Sequence, residues 1–250
     1  MRRAAALILA LLPIPGAAAG VPADCLDRVA AAAYEAPTDR YPHAVLGDDL
    51  EWGGLRVTVT LKLPCRAGSA TFRAVLPDEL VFEDTAPRIV DLDGTGLFDV
   101  LTVESHRDRG ARLTVWRITA EGPVRAAATP FIGTRFRWLA PVGAADLDGD
   151  GAVEVAYVDR PHLAKTLRVW RWRDGGLHPV ADLPGVTNHR IGETDIAGGI
   201  RDCGQGPEMI VADAGWARLL AVTLVDGRLT ARDIGPHRGR ASFAAAAECR

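Results

Sequence analysis

A period of about 54 residues runs through most of this chain. Asp91-Leu92-Asp93-Gly94-Thr95-Gly96 recurs 55 residues later as Asp146-Leu147-Asp148-Gly149-Asp150-Gly151. Leu113-Thr114-Val115-Trp116-Arg117 recurs as Leu167-Arg168-Val169-Trp170-Arg171, and again as Leu220-Ala221-Val222-Thr223-Leu224. Turn signals follow each copy, at Glu121-Gly122, Asp174-Gly175 and Asp226-Gly227, and each leads into another alternating run. A weaker pair of segments, Gly47 to Arg56 and Gly192 to Arg201, is preceded by His43 and His189. A unit of three or four short strands cannot bury its apolar face alone, so neighbours must stack. The fold class expected is therefore all-β, a β-propeller of four or five blades. With 26 Gly and 16 Pro, the chain has too many helix breakers for a helical bundle.

The flanks read differently. Residues 1–19 (MRRAAALILALLPIPGAAA) order a positive pair, a short apolar run, prolines and small residues, as a signal peptide does, with cleavage expected near Ala19-Gly20. Residues 20–40 are expected to form an N-terminal helix and linker, because Ala23 to Tyr34 is alanine-rich, with Asp24 as its cap. The propeller is expected over 41–242. Residues 243–250 form a helical tail, from an alanine-rich stretch that opens at Ala241 with Ser242 as cap. No later run has the ~20 apolar residues of a membrane span. Periplasmic or secreted localisation follows, and in such an oxidising compartment Cys25, Cys65, Cys203 and Cys249 are disulfide candidates. Four cysteines permit three pairings. One of them, Cys25 with Cys249, would join the termini.

The densest chemical signal is Asp146 to Glu154. Side-chain oxygens at Asp146, Asp148, Asp150 and Glu154, with the Ala152 carbonyl, can converge when glycines let the backbone turn. Such a set suits Ca²⁺, a hard ion with six to eight oxygen ligands. An EF-hand is excluded, since Tyr157 stands where its bidentate Glu belongs.

Asp-x-Asp-Gly-Asp-Gly-x-x-Glu, opening a repeat of this period, resembles the FG-GAP/VCBS repeats related to integrin α-subunit propellers. The resemblance covers about Tyr41 to Ser242. It implies a structural Ca²⁺ at Asp146, Asp148, Asp150, Ala152 and Glu154. It also implies a weaker site at Asp91, Asp93, Thr95, Leu97 and Asp99, where Thr95 replaces a carboxylate. In the following copy Asp195 remains, but Ala197 and Gly199 bring no ligating side chain, so no metal is expected there. The family's usual role implies a binding or interaction module.

No nucleophile elbow, zinc-protease helix or phosphate-binding glycine loop is present, and Ser69, Ser105 and Ser242 lack catalytic context. No catalytic residue is assigned, and a binding role is favoured over an enzyme. The alternative is a periplasmic or secreted hydrolase or lyase with a polar site at the channel mouth. Between-strand loops carry His106, Arg160, His162, Lys165, His189, Arg190 and Trp216, a candidate face for an anionic ligand. An unknown protein is the other class of partner. With 29 Lys+Arg against 32 Asp+Glu there is no basic surplus for nucleic acid. Trp116, Trp138, Trp170 and Trp172 are expected to pack between blades. Lys62 and Lys165 are the only lysines, which reads as a compositional bias towards arginine.

Overall fold

The computed structural model describes residues 21–250. The expected leader lies outside the described residues. After a 3-10 turn, Ala23–Cys25, the chain forms β1 (Leu26–Thr38), β2 (Glu51–Leu61), β3 (Gly68–Val75) and β4 (Leu80–Phe82). The first clear repeat gives β5 (Arg88–Val90), β6 (Asp99–His106), β7 (Gly110–Thr119) and β8 (Gly122–Ala128). The second gives β9 (Leu139–Ala145), β10 (Glu154–Asp159), β11 (Thr166–Arg173) and β12 (Gly176–Pro184). The last holds β13 (Val186–Thr187), β14 (Gly199–Asp202), β15 (Pro207–Asp213), β16 (Arg218–Val225) and β17 (Arg228–Pro236), then a helix, α1 (Arg240–Ala247).

These strands make an all-β, propeller-type fold. Hydrogen bonding produces three antiparallel sheets. β9 to β12 form a simple meander, and β13 to β17 form the last sheet. The first sheet runs through two repeat lengths, because β4 pairs with both β2 and β6 and so bridges the first two units. Asp174-Gly175 and Asp226-Gly227 are two-residue hairpin turns, with φ of 51° and 74° and of 49° and 70°. That left-handed geometry matches strand twist and selects Asp-Gly. The first repeat turns one residue earlier than expected, at Ala120-Glu121, and Gly122 opens β8 opposite Thr119.

Core layers lie between successive units, as the stacking argument requires. Leu55, Val57, Phe82, Val100 and Trp116 pack the first unit on the second. Leu101, Leu113, Leu139, Tyr157 and Trp172 join the second to the third. Val142, Val158, Leu167, Met209 and Val222 join the third to the fourth. First and last units meet through loops, where the Gly192 N–H donates to the Val45 carbonyl at 3.0 Å. The two weakly related segments, Gly47 to Arg56 and Gly192 to Arg201, are thus brought together.

The N-terminal helix is not formed. Ala23 to Tyr34 lies largely in β1, paired with β2 from Leu26 opposite Leu61 to Thr38 opposite Glu51. Alanine favours helix by tenths of a kcal/mol per residue, whereas an open β2 edge would leave a row of backbone groups unpaired. Pairing wins, so the sheet array begins at Leu26 and not at Tyr41. At the other end α1 forms as expected, but it starts at Arg240 with Gly239 as its cap. Ser242 instead accepts the Arg238 N–H at 3.0 Å and donates to the Gly239 carbonyl at 2.7 Å. The disulfides are Cys25–Cys65 and Cys203–Cys249, so the bridge between termini is not made. The first clamps the start of β1 beside the end of β2, and the second ties α1 to the loop after β14.

Candidate functional site

Both carboxylate loops join a first strand to a second, β5 to β6 and β9 to β10. Gly149 and Gly151 sit at φ 78° and 88°, a region open to glycine at little cost. This lets Asp146 accept the Gly149 and Gly151 N–H groups at 2.8 and 3.0 Å. Glu154, fully buried, accepts the Leu147 N–H at 2.8 Å. Asp146, Asp148 and Glu154 each present an oxygen within 4.8 Å of the others. Asp150 stands outside that triad.

A cation already serves this loop. Arg171, opposite Glu154 in the β10–β11 register, places its guanidinium 2.5 Å from Glu154, 2.5 Å from Asp148 and 3.0 Å from Asp150. Burial still pushes the Glu154 carboxyl above its ordinary range, with Arg171 and the Leu147 N–H pulling against it. Arg117 repeats the arrangement, 2.7 Å from Asp93 and 3.0 Å from Asp99. Even so, Asp148 Oδ1 and Asp91 Oδ1 are buried without a hydrogen-bond partner. A buried carboxylate oxygen left unpaired is costly. The hard-oxygen triad and this orphaned atom fit a calcium ion, which the guanidinium would have to share or yield to. Asp195 pairs with Arg240 at 2.7 Å.

A second site lies where the loop of the first unit, the connection between the second and third, and loops of the third and last units approach one another. A cavity of about 330 Å³ is lined by His43, Phe136, Arg137, Trp138, Arg160 and His162, with Leu163 and Ile191. Leu163 and Ile191 are 61% and 71% exposed, an apolar rim. His43 stacks on Phe136 with ring centroids 4.8 Å apart. Phe136 and Arg160 hold φ of 60° and 44°, a strained backbone for residues with a side chain. The Arg160 guanidinium is taken by Asp159 at 2.7 Å, whereas that of Arg137 has no ion pair among the described residues.

Behind this wall the polar groups are ordered. His189, fully buried, meets the Glu193 carbonyl through Nε2 at 2.9 Å. A carbonyl only accepts, so that nitrogen carries the proton and Nδ1 receives one from His162 Nε2 at 3.1 Å. Burial drives His162 down to about 4, with His189 as the next cause, and burial also lowers His189. On the other side His43 Nδ1 lies 2.5 Å from Glu83, whose second oxygen accepts the Ser105 hydroxyl. Burial raises Glu83 against the pull of His43. Trp138 packs in the core as expected, but it also lines the cavity and donates Nε1–H to the Glu83 carbonyl at 2.8 Å.

Of the seven residues expected on a ligand face, Arg160 and His162 line this cavity, and His189 lies buried behind His162. Arg190 lies over Trp216 at 4.3 Å, a separate pair. Lys165 is tied to the Ala214 carbonyl at 2.8 Å, and His106 accepts the Asp108 N–H at 3.0 Å. The residues missed are His43, Phe136, Arg137 and Glu83. His43 had a signal, since it precedes its segment as His189 precedes the related one. Phe136 and Arg137 sit in a connection with no repeat partner.

No curated protein matches the sequence. Among solved structures, the crystal structure of an exotype rhamnogalacturonan lyase is similar over 72% of this chain, at 15% identity and a TM-score of 0.39. This chain spans about two fifths of that enzyme's length, with 41% covered. Residues 91–157, which contain both carboxylate loops, match the FG-GAP-like repeat family, and over that stretch the chain is similar to FG-GAP-like repeats.

Proposed function

We propose that this chain is an exported, calcium-stabilised β-propeller that acts by binding a small anionic ligand in the cavity of His43, Phe136, Trp138 and Arg137. The observation that carries this reading is that Arg137, without an ion-pair partner among the described residues, lines the cavity together with Phe136 and Trp138. A flat or apolar ligand body packs on the rings, and its charge meets the one lining arginine that no carboxylate has claimed. Export is supported by the leader-like residues 1–19 and by two disulfides. Among the described residues no helix is long and apolar enough to cross a membrane. Calcium is supported by the Asp146, Asp148 and Glu154 triad, with Asp150 and the Ala152 carbonyl completing the loop, and more weakly by Asp91 to Asp99.

Trp138 provides the readout. Titration with benzoate should change tryptophan emission saturably, and Arg137→Met should weaken binding about tenfold or more, as loss of a charge-assisted hydrogen bond does. Calcium should raise the melting temperature of the oxidised protein, and Asp148→Asn should remove most of that shift. Identical benzoate titrations in the two proteins would refute the anion site, and melting indifferent to calcium and chelator would refute the metal.

A second reading, a hydrolase or lyase, is favoured by one observation. His43 and Glu83 form a hydrogen-bonded acid/base couple at the cavity wall. Turnover of a hydrolase or lyase substrate, abolished by Glu83→Gln, would select it over simple binding.

A further inference from the structure

The seam between the first and last units holds a second cavity, of about 310 Å³, whose chemistry is opposite to the one above. Its floor is Glu51, the first residue of β2, only 3% exposed. Among the described residues the Glu51 carboxyl has neither a hydrogen-bond nor an ion-pair partner. Every other fully or nearly buried acid of the first two units is claimed: Glu83 by His43, Asp84 by Arg88 at 2.5 Å, Asp99 by Arg117 at 3.0 Å and Glu104 by Arg112 at 2.6 Å. Glu51 alone among them lines a cavity without a partner. Asp48 and Asp84 line the same cavity, and no basic residue does. Trp52 is among the lining residues, and Leu46 and Leu50 offer an apolar stretch leading out. Leu50 is half exposed at the rim. Thr194 closes the cavity from the last unit, so the site exists only where the two ends of the array meet.

A buried carboxyl without a partner is stable only as the neutral acid, and burial together with Glu83, Asp48 and Asp84 pushes Glu51 up to about 10. A guest that brings its own positive charge reverses this, because an opposite charge at contact distance favours the carboxylate. A metal ion is a poor guest here. The acids lining this cavity do not converge on one point, whereas Asp146, Asp148 and Glu154 do. An ammonium on a short apolar stem matches what is present: a carboxyl for the charge and leucines for the stem.

We propose that this seam cavity is a binding site for a primary ammonium group on an alkyl chain, with Glu51 as its anion. On binding, Glu51 gives its proton to solvent and the ammonium keeps all of its own, so the pair forms with release of one proton. The site is separate from the anion cavity and does not depend on it.

The test is calorimetric titration of the full chain with pentylammonium chloride at about pH 7.5, in two buffers of different ionisation enthalpy. The expected result is saturable binding with about one proton released per ammonium bound. Glu51→Gln should weaken it about thirtyfold or more, since truncating one partner of a buried charge pair has that effect. Arg137→Met should bind pentylammonium as the wild type does. Leu50→Lys, an exposed substitution that sets a fixed cation at the rim, should abolish binding and keeps the test valid if Glu51→Gln fails to fold. No saturable binding, binding without proton release, or equal affinity in Glu51→Gln or Leu50→Lys would each overturn the proposal. So would competition by calcium at stoichiometric concentration, which would make the site a metal site.

Discussion

Arg171→Met should lower stability strongly and make the protein more responsive to calcium. The guanidinium lies 2.5 Å from Glu154, 2.5 Å from Asp148 and 3.0 Å from Asp150, and the Glu154 side chain is fully buried. Breaking a buried pair by removing one partner costs about 3–5 kcal/mol, because the other charge remains buried. Two features set the loss near the lower end. Glu154 keeps the Leu147 N–H, and Asp150, 40% exposed, contributes as a surface pair worth about 0–1 kcal/mol. A loss of about 3 kcal/mol corresponds to a melting temperature lower by about 6–12 °C in a chain of this length. Without the guanidinium the triad is free for a divalent ion. A native-state ligand at 100 times its dissociation constant returns about 2.7 kcal/mol, so saturating calcium should recover most of the deficit. Calorimetric melting of both proteins with calcium and with chelator is the assay. In wild type the calcium shift should be smaller, because Arg171 must be displaced or share its carboxylates. Arg171→Lys should fall between the two, since one ammonium cannot make the three contacts of a planar fork. An Arg171→Met protein that melts within about 2 °C of wild type in chelator, or equal calcium shifts in the two, would refute the counter-ion argument.

Acid should destabilise the histidine pair. His162 sits at about 4 in the folded state, below the ordinary 6.5 of an unfolded chain, so between those values only the unfolded state takes up the proton. Stability is therefore complete above about pH 6.5 and lost as pH falls towards about 4; His162→Asn should flatten that slope in urea titrations at a series of pH values. Reduction should also cost stability. The bridges span 40 and 46 residues, and loop entropy of that length is worth about 4 kcal/mol each. Cys203→Ala with Cys249→Ala should therefore lower the urea midpoint and free α1, read as faster hydrogen exchange over 240–247.

The repeat made the architecture legible because its signals are local. An Asp-Gly turn with left-handed φ, an alternating run and a glycine-bearing acidic loop are each decided within a few residues, as at Asp174-Gly175 and Asp146 to Gly151. What failed to read was decided across the chain. Ala23 to Tyr34 carries a helical propensity that holds only if nothing stronger competes, and the β2 edge, reached after a turn of the chain at Tyr41, competes successfully. Cysteine pairing depends on the same distant event, since Cys25 meets Cys65 only once β1 lies beside β2.

Arginine usage shows how a signal can be visible and still be misread. The near absence of lysine reads as composition alone, yet the last residues of the matched Val-Trp-Arg runs, Arg117 and Arg171, serve the carboxylate loops of their own repeats. The pattern extends beyond those loops. Buried Glu104 lies between Arg112 and Arg125, buried Asp159 between Arg160 and Arg168, and Glu208 between Arg201 and Arg232. Each acid has two oxygens and each guanidinium a planar set of donors, a match that lysine's single ammonium cannot make. Against that background an unclaimed charge stands out. Arg137 is a half-buried cation with no carboxylate, and Glu51 is a buried acid with no cation. Each lines a cavity, one on either side of the buried Glu83 and Asp84 at the end of β4. In a chain that pairs its interior acids so consistently, these two exceptions are the places where the missing counter-charge is best supplied from outside.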